Sequence, residues 1–297
     1  MRYYNTKDWL HTLFRVTRAD VLRKLWWILL VIAIYSFFIA YLELEYWKLS
    51  ELDKSVLKNI PIMHSLLGFA ISLVLVFRTN TAYDRWWEGR KLWGALMNNS
   101  RNLALKLSVV LKEDEKEERT LFKTLIPGYA LALHQHLQKE RTRIMLFDED
   151  AQTRKVIQSI DTEKHVPNQV AGLIYENVKK LYRDGKISGE VLLFLNNELQ
   201  SFTDICGACE RIKNTPIPSS YGVFIKRFIL IYLLTLPWGY VFQLGYWVIP
   251  VVVVIAYVMT SLELIAEEIE DPFGNDENDL PTYKMSENIR KSVEEIL

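Results

Sequence analysis

Ile60-Pro-Ile-Met-His-Ser-Leu-Leu-Gly-Phe-Ala-Ile-Ser-Leu-Val-Leu-Val-Phe77 runs straight into Arg78-Thr-Asn-Thr-Ala-Tyr-Asp-Arg-Trp-Trp-Glu-Gly-Arg90-Lys-Leu-Trp-Gly94. The first eighteen residues carry no Asp, Glu, Lys or Arg. As a helix they would reach roughly 27 Å, close to the hydrocarbon thickness of a bilayer. No Pro or Gly turn separates the apolar part from the charged part. The stretch therefore predicts one helix that starts in lipid and finishes in water. Phe69, Leu73 and Phe77 recur every four residues and stack along one stripe of that helix. Apolar stripes of this kind most often pack against neighbouring helices. The spacing also suits a pore-lining helix, in which rings of such residues gate by dewetting.

Two further stretches are uncharged. Leu25 to Leu42 is eighteen residues long and Phe228 to Leu262 thirty-five. The latter is too long for one span and suits two, with a turn at Pro237-Trp-Gly239 or Gln243-Leu-Gly245. The expected architecture is an all-α membrane protein with four spans, residues 25–77 supplying the first two and 228–264 the last two. The run from Leu25 is too long for the core of a signal peptide and has no evident small-x-small cleavage site. Arg15, Arg18, Arg23 and Lys24 precede the first span; Arg78, Arg85, Arg90 and Lys91 follow the second; Lys226 and Arg227 precede the third. The 43–58 loop carries Lys48, Lys54 and Lys58 amid acids, and the 238–246 turn carries no charge. The positive-inside rule places both termini, and residues 78–227, in the cytoplasm.

The middle segment reads as helical: Leu92 to Leu111, Thr120 to Leu137, Val166 to Tyr182 and Ser188 to Ile212. A charged elbow occupies 112–119, a polar Asp-rich stretch runs from 139 to about 164, and Asp184-Gly185 marks a turn. Residues 1–24 form an N-terminal cytosolic segment. Residues 265–297 form an acidic tail that ends in an amphipathic helix from Met285 to Ile296. Net charge is zero, so the chain is no polycation, and no nucleic-acid partner is expected. Two cysteines, Cys206 and Cys209, imply no disulfide framework.

Three blocks resemble the signatures of the bestrophin family, in its bacterial branch: residues 77–90, Thr215-Pro-Ile-Pro-Ser-Ser-Tyr221, and Glu270-Asp-Pro-Phe-Gly-Asn-Asp-Glu-Asn-Asp279. They stand in the family's order along nearly the whole chain. The resemblance implies a homopentameric ion channel around one axial pore, in the bacterial inner membrane and in contact with its lipid. It implies a hydrophobic neck at Phe69, Leu73 and Phe77 and a cytosolic aperture at Ile217. It also implies a calcium clasp in the acidic run, with Asp276 and Asp279 at side-chain ligand positions. Asp271 stands where animal members have Asn, and Asn275 and Asn278 dilute the acids. Calcium wants six to eight oxygens, and the plain alternative is a solvated acidic turn bent at Gly274.

Other motifs have bland alternatives. Cys206-Gly-Ala-Cys209 has metal-ligand spacing, but zinc would need His134, His136 or His165 nearby, and packing is the expected role. His64 lies inside a span, where an ionisable group is either functional or a hydrogen-bonded interface residue. Arg78, Arg85 and Arg90 with Asp84 and Glu88 are expected to pair with other helices. No Gly-rich phosphate loop, GxSxG or HExxH occurs, so no enzyme is expected. By resemblance, animal members pass chloride, while bacterial members look cation-conducting. Glu43, Glu45, Glu51 and Asp53 could enrich cations at an outer mouth, whereas the partly positive Phe edges could favour anions. The reading taken is a passive channel for monovalent cations, sodium foremost, with potassium also a candidate ion. The alternatives are a chloride channel of the same architecture, and a membrane scaffold or anchored enzyme.

Overall fold

A computed structural model describes residues 21–47, 60–138 and 160–297. Arg15 and Arg18, the loop residues Lys48, Glu51, Asp53, Lys54 and Lys58, and residues 139–159 of the Asp-rich stretch lie outside the described residues. The described regular structure is helical: α1 (Val21–Tyr41), α2 (Ile60–Val110), α3 (Lys116–Gln138), α4 (Val166–Arg183), α5 (Gly189–Asn214), α6 (Ser219–Leu244), α7 (Val248–Glu270) and α8 (Thr282–Ile296). Three stretches, Val21–Tyr46, Ile60–Val110 and Ser219–Glu270, are long and apolar enough to cross a membrane.

The expected helix at 92–111 is the continuation of the apolar helix, since α2 runs 51 residues without interruption. Its C-terminal end is closed by Arg119, whose guanidinium donates to the carbonyls of Ser108 (3.0 Å) and Leu111 (2.5 Å). These are acceptors that a helix end leaves open. The elbow that follows is shorter than the charges suggest. α3 starts at Lys116, with Glu117 and Glu118 in its first turn, where the helix dipole favours carboxylates.

The chain divides into two compact units. One comprises residues 86–215 and 271–297. Its centre is α3, buried along Phe122, Leu125, Ile126, Tyr129 and Leu133. α4, α5 and α8 pack against α3. Trp93, Leu96, Leu103 and Leu107 of α2 belong to the same apolar core. The Tyr129 hydroxyl donates to the Phe202 carbonyl of α5 at 2.5 Å, which satisfies a phenol that has no water to turn to. α8 buries Met285, Ile289 and Val293 at helical spacing.

The other unit holds α1, the first half of α2, α6 and α7. Of the two turns considered in the long apolar run, the chain uses the second. Gly245 has φ +55, a conformation closed to side chains with a Cβ. Pro237 stays inside α6. A proline there removes a backbone hydrogen bond and frees carbonyls one turn back. Tyr35 of α1 donates to the Leu234 carbonyl at 2.9 Å and accepts from Trp238 Nε1 at 2.9 Å, so a side chain ties α1 to α6 beside the proline. α1 ends in a π turn, Leu42–Tyr46, that buries Glu43.

Gly245→Ala should cost roughly 1–3 kcal/mol, because alanine is strained at that positive φ. Gly207→Ala should stabilise α5 by up to about 1 kcal/mol, because its new methyl meets nothing. Thermal unfolding in detergent compares the two; equal midpoints would contradict the assigned turn.

Candidate functional site

Between Ile60 and Arg85, α2 has two unlike faces. Ile71, Leu75, Arg78 and Ala82 are buried within the unit. Phe69, Leu73 and Phe77 are 68%, 44% and 63% exposed. Large apolar side chains left uncovered by their own chain call for lipid, another copy or a restricted lumen around them. Ser72 and Thr81 turn their hydroxyls back to the Gly68 carbonyl (2.7 Å) and the Phe77 carbonyl (2.8 Å), so this face is less polar than its sequence. His64 is on the buried side. Its ring nitrogens meet the Ile60 carbonyl (3.0 Å) and Thr235 Oγ1 (2.9 Å), which makes it a hydrogen-bonded residue between α2 and α6.

Immediately after Phe77, Arg78 is 3% exposed. It lies 2.7 Å from Glu270 Oε2 and 3.7 Å from Glu263 Oε2. Glu270 does three things at once. Besides pairing with Arg78, it accepts the Ile217 amide through Oε1 at 2.9 Å, and its carbonyl accepts from Arg85 Nε at 3.0 Å. Pro216 and Pro218 have no N–H, so the Ile217 amide is the one donor of the triplet, and Glu270 holds it. Ile217, Ser219, Gly222, Lys226 and the three glutamates at 263, 267 and 270 line a cavity of about 240 Å³ with Arg78. The expectation that the arginines after the span pair with other helices is met at Arg78 and Arg85. Glu88 pairs with Arg211. In sequence Glu270 is placed only at the head of the acidic block and Glu263 is given no role; neither is assigned to Arg78. Their seven-residue spacing, two turns on one helix face, was the available signal.

The acidic run is a closed turn. Asp279 is buried; its Oδ2 accepts the Asp276 amide at 2.5 Å, while Oδ1 has no protein partner. Burial pushes the Asp279 carboxyl up to about 7. A methyl on Gly274 would sit 2.8 Å from Asp279 Oδ2, so this glycine makes room for the carboxylate. Asp271 pairs with Lys213 at 2.5 Å, and Trp86 Nε1 donates to the Asn278 carbonyl at 3.0 Å. Asp276 is exposed. The orphaned, buried Asp279 oxygen is a donor that a calcium ion could take; the exposed Asp276 and the paired Asp271 add little preformed coordination.

Cys206 and Cys209 are buried, free thiols. Burial pushes Cys206 up to about 12, and Cys209 rises for the same reason. Without a metal, neither is a ready nucleophile. His134 leaves the region for Thr282, Nδ1 to Oγ1 2.7 Å. His136 and His165, by contrast, converge on Glu210, next to Cys209 in sequence, at 2.7 and 2.6 Å.

Composition and fold define a helical membrane protein with an unusually long helix, apolar and exposed at one end. The bacterial/fungal bestrophin protein family matches residues 1–295. A voltage-dependent anion channel-forming protein of Nostoc sp. is 34% identical over 246 residues, 80% of each chain. One of Mesorhizobium japonicum is 34% identical over 276 residues, 90% of this chain and 83% of the relative. A crystal structure of a bacterial bestrophin homologue from Klebsiella pneumoniae superposes with TM-score 0.80 at 26% identity, covering 92% of this chain and 99% of the other. The chain belongs to the bacterial and fungal bestrophins. The family and these relatives are channels and not enzymes.

Glu270→Ala should destabilise the unit by about 3 kcal/mol, because it leaves the buried Arg78 with only the more distant Glu263 and frees the part-buried Ile217 amide. Glu270→Gln keeps an acceptor and should cost less. Denaturant unfolding of both variants checks this; two equal, small losses would remove Glu270 as the anchor.

Proposed function

We propose that this chain is a passive ion channel of the bestrophin type, and that it conducts anions, chloride foremost. The observation that carries the reading is the stripe Phe69, Leu73 and Phe77, which the chain leaves uncovered on the 51-residue helix that continues into charged sequence. Five copies of α2 around an axis would turn the stripe into three apolar rings, a neck through which an ion moves only after shedding or dragging water. Four spans per subunit follow from the break at Gly245, which divides Ser219–Glu270 into α6 and α7. The Lys and Arg distribution puts both termini and residues 78–227 on the cytoplasmic side of a bacterial inner membrane. Ile217 forms the second constriction, held by the Glu270 bond at its own amide.

Anions are preferred over the monovalent cations favoured from sequence for two reasons. The relatives are named anion channel-forming proteins. The acidic mouth that supported cations is also weaker than its sequence, since Glu43 is fully buried. The neck itself has no fixed charge, and Phe edges present their partly positive rim to an anion. In the tail turn, Asp276 and Asp279 are the proposed calcium contacts, with Asp279 Oδ1 the donor still free.

The test is the reversal potential of the purified protein in planar bilayers under a KCl gradient, repeated with NaCl. A potential near the chloride limit is expected; one near the cation limit would reverse the selectivity, and the absence of current would favour a scaffold. Leu73→Ala should widen the neck and raise conductance severalfold or more, and unchanged current would remove the stripe from the pore. Ile217→Ala should shift the ratio of permeant ions with little change in open conductance. Calorimetry that detects no calcium uptake would retire Asp276 and Asp279 as ligands.

A further inference from the structure

We propose that His136, His165 and Glu210 form a binding site for a divalent transition metal of the zinc type. Among the described residues they are the one group of three or more His, Cys, Asp or Glu side chains whose ligating atoms all lie within 4.8 Å of one another. The donors come from three places in one unit: the end of α3, the residue that caps α4, and the last turns of α5. An ion there would tie three helices together.

The donor set selects the ion. Two imidazoles and one carboxylate suit zinc, cobalt, nickel or copper, whereas calcium and magnesium require mostly oxygen. The imidazole Nε2 atoms of His136 and His165 both point at Glu210 Oε1, at 2.7 and 2.6 Å. Zinc holds such donors at about 2.0–2.2 Å. A central ion therefore needs the two ring nitrogens to part from the shared Glu210 oxygen. All three are half-buried, so the ion can enter from solvent and still keep a partly dry shell. A cavity of about 420 Å³ that includes Glu210, Asn168, Tyr175 and Thr203 in its wall leaves room for a water as fourth ligand. Cys206 borders the same cavity, but the ligating atoms that converge are those of His136, His165 and Glu210. The metal ligands are therefore histidines and a glutamate, and the CxxC spacing contributes packing.

Without metal the same side chains are a hydrogen-bonded cluster. Burial acts to raise Glu210, but the hydrogen bonds from His165 and His136 outweigh it and hold the carboxyl below its usual range. Asn168 N–H donates to His165 Nδ1 at 3.1 Å and caps α4, so the His165 proton sits on Nε2. A metal at Nε2 displaces that proton, and the neutral ring then carries its proton on Nδ1. The Asn168 cap is then exchanged for a coordinate bond, and uptake of the metal weakens towards low pH as its ligands protonate.

The test uses the full chain purified in detergent without a histidine tag and stripped by chelator. Cobalt(II) is titrated with visible absorption as the readout, and zinc by calorimetry. We expect saturation near one ion per chain, displacement of cobalt by zinc, and affinity weakened about tenfold or more by His136→Ala and by Glu210→Gln. Glu210→Gln keeps the shape and a hydrogen-bond acceptor, so its loss of metal would not reflect unfolding. No saturable uptake, or uptake equal in the unmodified protein and both variants, overturns the proposal. The readout is independent of ion conduction.

Discussion

A buried arginine constrains the whole membrane-compatible unit. Arg78 follows the last apolar residue of the long run and is almost fully shielded from water. An unpaired guanidinium in such a place costs several kcal/mol, so the fold must deliver carboxylates to it. Glu263 and Glu270 arrive from α7, two turns apart on one face. Once Glu270 is there, its second oxygen and its carbonyl organise the Ile217 amide and Arg85 as well. One carboxylate thereby links the end of the apolar stripe to the Pro-Ile-Pro break. The two positions that family resemblance assigns to constrictions are thus linked through Glu270, a side chain to which the resemblance gave no role.

The second constraint is the stripe itself. α2 buries one face and leaves Phe69, Leu73 and Phe77 uncovered. Burial of such side chains is worth about 1.5–3 kcal/mol each, so a chain that leaves three of them open is built to assemble or to meet lipid. Hydroxyls along the same helix are satisfied internally, which keeps water from gaining a foothold beside the aromatic side chains. A passive conduit with a dry, uncharged neck makes sense of this economy. It also explains why selectivity was hard to read: no residue of the proposed neck carries a charge whose sign would decide it.

Much of the fold was legible. Helices in lipid must satisfy their own backbone, so long uncharged runs have few alternatives. α2 crosses from apolar to charged sequence as expected, and the Asp184-Gly185 turn appears with Gly185 at φ +70. Less legible was where local signals competed. Pro237 and Gly245 both read as possible turns, yet Pro237 stays inside α6 and, of the two, Gly245 offers the backbone that a reversal needs. The two cysteines pack as their sequence suggests, but nothing in the sequence signals that His136 and His165 converge on their neighbour Glu210. Glu43 reads as part of an acidic mouth, yet it is buried in a π turn.

The sequence by itself determined the class of the protein: which stretches prefer lipid, which face of α2 carries the aromatic stripe, and which family the chain belongs to. These follow from hydrophobicity, helical period and ordered motifs, all of them local properties. The tertiary structure alone decided the partners. That Arg78 meets Glu263 and Glu270, that Glu270 holds Ile217, and that two histidines converge on Glu210 involve residues separated by 45 to 192 positions. Charge and hydrogen-bond pairing at that range depend on how helices pack, and no periodicity within a single helix encodes it.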